Sequence, residues 1–314
     1  MDEPGARCVR PFEPTRPTWR ELLKATAAQL KAHRPGAPAC AEARQLVACA
    51  AGCERSELFM VLDDRAGTLA SEHLAQMASR RASGEPLQYV LGEWGFRNLD
   101  LLVDPRVLIP RPETELVVDV AISELASAGL VDQAGRASGP EVTVVDLGTG
   151  SGAIALSIAS EIPRAAVWAT DMSTEALKVA SANLAGLGGE AATRVQLLEG
   201  SWYEPLPSML IGKVNLVISN PPYVAEMEWD ALPEEVREFE PKGALVSGPS
   251  GTEALEEVIS SSRPWLADPG VLVVEIAPHH SDLVQSLARR VGFALVRVEP
   301  DLSHRPRALV ARTQ

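Results

Sequence analysis

Apolar residues recur along this chain with two different periods, and the change falls near Gly84. Before it they return every three or four positions, in "WRELLKATAAQLKAH", "CAEARQLVACAAG", "ERSELFMVL" and "LASEHLAQMASRRASG". That spacing predicts four helices and no strand. Thr18-Trp19-Arg20-Glu21 has the form of a capping box opening the first of them. Residues 17–84 therefore read as a small helical domain of short antiparallel helices. The Pro- and Arg-rich residues 1–16 ahead of it read as a disordered tail.

Past Gly84 the pattern changes. "LQYVLGEWGF" and "LDLLVDPRVLIP" are partly alternating segments around Arg97-Asn98, which predicts a β-hairpin linker over residues 85–111. "PRPETELVVDVAISELASAG" then reads as a helix, with Pro112 in its first turn and Glu113 and Glu115 at the positive end of its dipole. From there short apolar runs alternate with amphipathic ones: "EVTVVDLG", "AAVWATD", "RVQLLEG", "VNLVISN" and "GVLVVEIA" as strands, with helical segments around them. Such alternation means βαβ units, so residues 112–314 predict an α/β domain with a mainly parallel sheet. "ALVRVEPD" and "RALVART" have no helix between them and should close the sheet as an antiparallel edge hairpin.

Composition narrows the function. The 314 residues are 46% hydrophobic and 23% charged, as in a soluble globular protein, with room for two domains. A net charge of −13 argues against a protein that grips phosphate backbones, and is compatible with a basic protein partner. No apolar stretch is long enough to span a membrane and the first residues carry no signal region, so a cytoplasmic location and no membrane contact are expected. Four cysteines without completing His or Cys spacing predict reduced thiols and no metal site. No surplus apolar helix face stands out, so a monomer is expected.

The chemistry concentrates at strand ends. "VVDLGTGSGAIAL" ends a strand with Gly148, Gly150 and Gly152 before a helix. In an open parallel sheet ligands bind outside the carboxyl ends of strands, and glycines let backbone N–H groups come close. The G-x-G-x-G spacing is one residue shorter than a dinucleotide fingerprint and fits S-adenosylmethionine, a nucleoside without pyrophosphate. Asp171 ends the next strand, where a carboxylate suits two ribose hydroxyls. Trp202, after the third, could stack on an adenine or pack in the core.

The fourth strand ends in Asn220-Pro221-Pro222-Tyr223. Two prolines make a stiff turn. A planar amide or aromatic amino nitrogen is nearly inert, because its lone pair is delocalised. The Asn220 side-chain oxygen and the Pro221 carbonyl could each accept one N–H bond and turn that lone pair toward a methyl group. Tyr223 would pack on the flat face of the substrate group.

This turn resembles the motif of methyltransferases acting on planar nitrogens, DNA adenine enzymes included. "GEPLQYVLGEWGF", "VLIPRPETELVV", "VVDLGTGSGAIAL", "SNPPYV" and "EVREFEPKGAL", in this order, resemble the bacterial peptide-chain release factor glutamine N5-methyltransferase family. The resemblance runs from about Thr18 to Ala311, and Ile109–Glu115 is its distinctive stretch. It implies a helical N-terminal domain, a hairpin linker and a class I methyltransferase domain, with the glutamine of a Gly-Gly-Gln loop in class I release factors as substrate; because the rest of a release factor needs a docking surface, residues 17–84 are expected to supply part of it. By position, Gly148, Thr149, Gly150, Ser151, Gly152, Asp171, Trp202 and Asn220 would hold S-adenosylmethionine, and Asn220, Pro221, Pro222 and Tyr223 the glutamine. Departures are Ser201 where many members have Asp, and Ala277 followed by His279 and His280, which read as a surface helix start. The alternative reading is a nucleic-acid adenine N6-methyltransferase, disfavoured by the acidic charge and the lack of an inserted target-reading region.

Overall fold

The computed structural model describes residues 16–132 and 141–314. The chain forms two compact units, Met1–Leu91 and Gly92–Gln314. The tail expected over residues 1–16 lies, apart from Arg16, outside the described residues.

Elements are numbered in chain order. The first unit holds α1 (Trp19–His33), α2 (Ala39–Ala51), α3 (Leu58–Val61), α4 (Thr68–Ala82) and α5 (Leu87–Leu91). The capping box forms: the Glu21 N–H donates to Thr18 Oγ1 (3.3 Å) and the Thr18 N–H to Glu21 Oε2 (2.8 Å). Leu30, Leu46, Leu74 and Met77 fill the core. Beside it the buried Arg81 forks onto Glu42, through Nε to Oε2 (3.0 Å) and Nη2 to Oε1 (2.8 Å), so neither charge is left uncompensated.

Two elements differ from expectation. α3 is only four residues long, because Leu58 alone in it is buried while Phe59 and Met60 face solvent. "LQYVL", expected as the first strand of the hairpin, is the helix α5. Pro86 precedes it, where a fixed φ suits a first turn, and the Val90 N–H donates to the Pro86 carbonyl (3.0 Å). Five apolar residues carry too little period to separate helix from strand.

In the second unit β1 (Glu93–Phe96) and β2 (Leu99–Leu102) form the hairpin, shorter than residues 85–111. Its turn residue Arg97 has φ +53°, a left-handed conformation that disfavours side chains by about 1 kcal/mol. That penalty is offset by contacts to α6 (Pro112–Ser127) and α7 (Ala153–Glu161). Arg97 Nε and Nη2 fork onto Glu161 (2.6 and 2.8 Å), and Nη1 reaches Asp119 (2.7 Å) and the Glu115 carbonyl (3.0 Å). The bond to Glu161 in particular raises the already high pKa of the guanidinium.

The main sheet contains β3 (Val142–Leu147), β4 (Ala165–Asp171), β5 (Val195–Glu199), β6 (Val214–Ser219), β9 (Leu266–Glu275), β10 (Leu295–Pro300) and β11 (Pro306–Arg312), while β7 (Val224–Ala225) and β8 (Val246–Gly248) pair with each other outside it and α9 (Gly189–Ala192) and α10 (Glu234–Phe239) are short connecting helices. Their order is β10-β11-β9-β6-β3-β4-β5, with β11 antiparallel to both neighbours and the other pairings parallel. The closing hairpin thus lies at one edge, as the missing helix implies. Side chains alternate strictly: Val144, Ile218 and Val273 pack under α6 and α7, while Val145, Val217 and Val274 face α11 (Glu253–Ser260) and α12 (Ser281–Val291). With both faces covered, the strands read as continuous apolar runs. No helix among the described residues is long and apolar enough to cross a membrane.

The parallel register aligns four strand ends. Thr170 pairs with Leu147, Leu147 with Ser219, and Ser219 with Val274. The next residues of those strands are Asp171, Gly148, Asn220 and Glu275, a row about 14 Å long at ~4.8 Å per strand.

Arg97 yields a stability prediction. Arg97→Ala should destabilise the chain by about 2–3 kcal/mol in denaturant unfolding, the scale of bonds between charged groups. Arg97→Gly should lose about 1 kcal/mol less, because glycine accepts the positive φ. Equal losses would show that the turn is unstrained.

Candidate active site

Three glycines shape the first half of the site. Gly148, Gly150 and Gly152 have φ of +70°, +57° and +85°. A Cβ at Gly148 would come to 3.3 Å from the Trp202 ring, and one at Gly152 to 3.1 Å from Leu156. The N–H groups of Gly148 and Thr149 both donate to the Thr170 carbonyl (2.9 Å), tying the loop to β4. Asn183 of α8 (Thr174–Leu187) donates to the Ser151 carbonyl (2.8 Å), tying it to the next helix as well.

Two carboxylates organise this loop. Asp171 Oδ2 accepts from the Gly150 N–H and Oδ1 from the Ser173 N–H, both at 2.8 Å. Each oxygen keeps a lone pair, so two hydroxyls of a ribose could still be bound. The fully buried Asp146 accepts from Thr149 Oγ1 (2.6 Å) and the Ala155 N–H (3.1 Å) through Oδ2. Burial pushes its pKa up to about 7. Its Oδ1 is buried without a partner, the kind of orphan that a cationic ligand group would satisfy. Trp202 is held beside the loop by a bond from Thr170 Oγ1 to its carbonyl (2.9 Å), and its own φ is +43°. It packs partly on the core while lying against Gly148, so the two readings of this ring are compatible. Ser201 beside it is exposed.

Together these groups fit S-adenosylmethionine: glycine N–H groups without side chains in the way, a carboxylate with free lone pairs at the end of the next strand, an apolar ring and an unpaired acid oxygen.

The second half of the site begins at the end of β6. Ser219 Oγ donates to the Leu147 carbonyl (2.7 Å), locking β6 to β3 where the glycine loop starts. Asn220 Nδ2 donates to Thr114 Oγ1 (3.1 Å), and Thr114 Oγ1 donates to Glu275 Oε2 (2.6 Å). The Tyr223 hydroxyl reaches Glu275 Oε1 at 3.5 Å, the long limit of a hydrogen bond. Burial pushes the Glu275 carboxyl up to about 7 and, with the Glu275 charge beside it, the Tyr223 phenol up to about 12. Pro221 is buried and Pro222 half-buried between these two anchors. Behind the turn Gly251, at φ +78°, lies so close that a Cβ would come to 2.8 Å from the Ala225 nitrogen.

The sequence-predicted residues fall into two neighbouring groups. Gly148 to Gly152, Asp171 and Trp202 form one and Asn220 to Tyr223 the other, joined through the paired Leu147 and Ser219. Thr114, Glu275 and Gly251 carry no local signal in the sequence, because their contacts are long-range, whereas Asp146 has one: it is the acid two residues before the first glycine. The stretch Ile109–Glu115 gains a physical role. The Ile109 N–H donates to Glu240 Oε2 (3.3 Å) and Arg111 pairs with Glu240 Oε1, which fixes the start of α6 and therefore Thr114. The two histidines part company: His279 is exposed as expected, but His280 is buried, and that burial lowers its pKa.

Known proteins resemble the chain along most of its length. A family model described as PrmC N-terminal domain matches residues 21–92, and one described as Methyltransferase small domain matches residues 124–245. A release factor glutamine methyltransferase of Chlorobaculum tepidum is 37% identical over 298 residues, 94% of this chain and 97% of the relative. One of Rhodopirellula baltica is 37% identical over 271 residues, 85% of this chain and 87% of the relative. Among solved structures, the hMettl16 catalytic domain in complex with the MAT2A 3'UTR hairpin 6 covers 79% of this chain and 82% of its own. Its TM-score is 0.51 at 12% identity, a likeness of fold alone.

Asp171 provides the test of the first half. Asp171→Ala should weaken S-adenosylmethionine binding by roughly 2–3 kcal/mol in calorimetry, the scale of hydrogen bonds to a charged group. Unchanged affinity would remove Asp171 from the site.

Proposed function

The chain belongs to the release factor glutamine methyltransferase family, and from that premise we propose that it methylates the side-chain N5 of the glutamine in the Gly-Gly-Gln loop of class I peptide-chain release factors. One observation carries this reading: Asn220 stands at the strand end beside the glycine loop with its Nδ2 already engaged by Thr114 (3.1 Å), leaving Oδ1 to accept from a substrate nitrogen.

S-Adenosylmethionine supplies an electrophilic methyl group on its sulfonium and leaves as S-adenosylhomocysteine. The remaining work falls to side chains and backbone. Asn220 Oδ1 and the Pro221 carbonyl take the two N–H bonds of the glutamine amide, which holds its nitrogen with the lone pair out of plane toward the methyl group. The stiff Pro221-Pro222 turn keeps these acceptors fixed, so little reorganisation is needed as charge develops. Tyr223, anchored near Glu275 and half-buried, covers the flat amide face. An amide is no base at neutral pH, so the proton lost by the nitrogen passes to solvent.

The release factor is larger than one glutamine, and the helical unit offers it a surface. Phe59, Met60 and Leu69 are 71%, 60% and 82% exposed there, unusual for large apolar side chains. We assign residues 17–84 to docking, with the Gly92–Gln314 unit carrying the chemistry. The net charge of −13 favours a protein over a nucleic acid as partner.

Two experiments follow. Asn220→Ala leaves only the Pro221 carbonyl to orient the nitrogen, and kcat should fall on the order of 10²–10³ while release factor binding changes little. Turnover within tenfold of wild type would reduce the turn to a strand ending, and methyl transfer to DNA adenine instead of release factor would reverse the substrate. Phe59→Ser combined with Leu69→Ser should raise KM for intact release factor by about tenfold, or about 1.4 kcal/mol. KM for a short Gly-Gly-Gln peptide should stay unchanged, and equal shifts for both substrates would refute the docking role.

A further inference from the structure

Asn220 can serve only if its amide faces the right way round, since Oδ1 accepts an N–H while Nδ2 would repel one. The polypeptide around it decides this by donor and acceptor bookkeeping. An ionised carboxylate can only accept. Glu275 Oε2 lies 2.6 Å from Thr114 Oγ1, so the hydroxyl proton is committed to Glu275. The Thr114 oxygen is then an acceptor toward Asn220, and the 3.1 Å contact must come from Nδ2.

We propose that Thr114 and Glu275 are positioning residues of the reaction, a relay in which the Glu275 carboxylate sets the direction of the Thr114 hydroxyl and thereby turns Asn220 Oδ1 toward the substrate nitrogen. The relay rests on the reading that Asn220 Oδ1 binds the glutamine amide. It is buried, with Thr114 at 4% and Glu275 at 1% exposure, so solvent does not randomise it. The same carboxylate faces the Tyr223 hydroxyl, so one group orients both ends of the turn.

The relay has a second state. With Glu275 protonated, its own O–H donates to Thr114, the Thr114 proton is freed for Asn220 Oδ1, and the amide turns Nδ2 outward. The groups facing Glu275 are Thr114 and Glu113 from α6, Tyr223 from the turn after β6 and Arg307 from β11. Burial outweighs Arg307 and holds the Glu275 carboxyl up to about 7, where the two states exchange. Protonation increases as pH falls, so the competent state is lost on the acid side.

Thr114→Val keeps shape and removes the hydroxyl. Its kcat should fall about tenfold to a hundredfold, the scale of one to two hydrogen bonds, with S-adenosylmethionine affinity unchanged. Thr114→Ser, which restores the hydroxyl, should recover most of that loss. In wild type, kcat should rise with pH through about 7. Glu275→Gln, which cannot titrate, should lack that limb. Turnover by Thr114→Val close to wild type, or an unchanged pH limb in Glu275→Gln, would overturn the relay. If Asn220→Ala is itself active, the reading of the site falls instead, and if only Asn220→Ala is inactive, the relay alone falls.

Discussion

Four parallel strand ends held in one register determine what this protein can do. The pairing of Thr170 with Leu147, of Leu147 with Ser219, and of Ser219 with Val274 leaves Asp171, Gly148, Asn220 and Glu275 as consecutive members of a row. A slip of one residue in any strand would turn its side chains to the opposite face and remove its member from the row. The strict alternation of Val144 and Val145, or Ile218 and Val217, between the two buried faces makes such a slip costly in apolar burial. The core therefore specifies the site from beneath it, through residues such as Leu147 and Leu156 that adjoin the glycine loop.

Upon that row the site uses buried polarity sparingly. Asp146 and Glu275 are both nearly inaccessible carboxyl groups whose pKa is pushed up to about 7 by burial, and each has a hydroxyl donor, Thr149 and Thr114 respectively. Asp146 tightens the loop proposed to hold the cofactor, while Glu275 orients the clamp proposed to hold the substrate. Neither is placed to take a proton from substrate. The proposed chemistry is one of orientation, which suits a planar nitrogen whose difficulty lies in its delocalised lone pair.

Local patterns were legible in the sequence and long-range pairings were not. The capping box at Thr18 and Glu21, the parallel sheet with its closing hairpin, and the glycines at positive φ follow from spacing within a few residues. Leu87–Leu91 reads equally as strand because five apolar residues show no period, and Pro86 decides for helix. Ile109–Glu115 is a distinctive stretch in the sequence, but its role rests on Glu240, which binds Ile109 and Arg111 from across the unit. Thr114 and Glu275 lie 161 residues apart, so nothing in the local composition of either points to the other. His280 reads from sequence as a surface residue, and only packing shows it buried.

A high-resolution structure with S-adenosylhomocysteine and a Gly-Gly-Gln peptide would show whether Asn220 presents its oxygen to a substrate amide because its nitrogen is held by Thr114. The glutamine nitrogen should lie within hydrogen-bond distance of Asn220 Oδ1 and the Pro221 carbonyl, with Nδ2 still on Thr114. A glutamine nitrogen bound elsewhere, or an Asn220 whose oxygen faces Thr114, would contradict it.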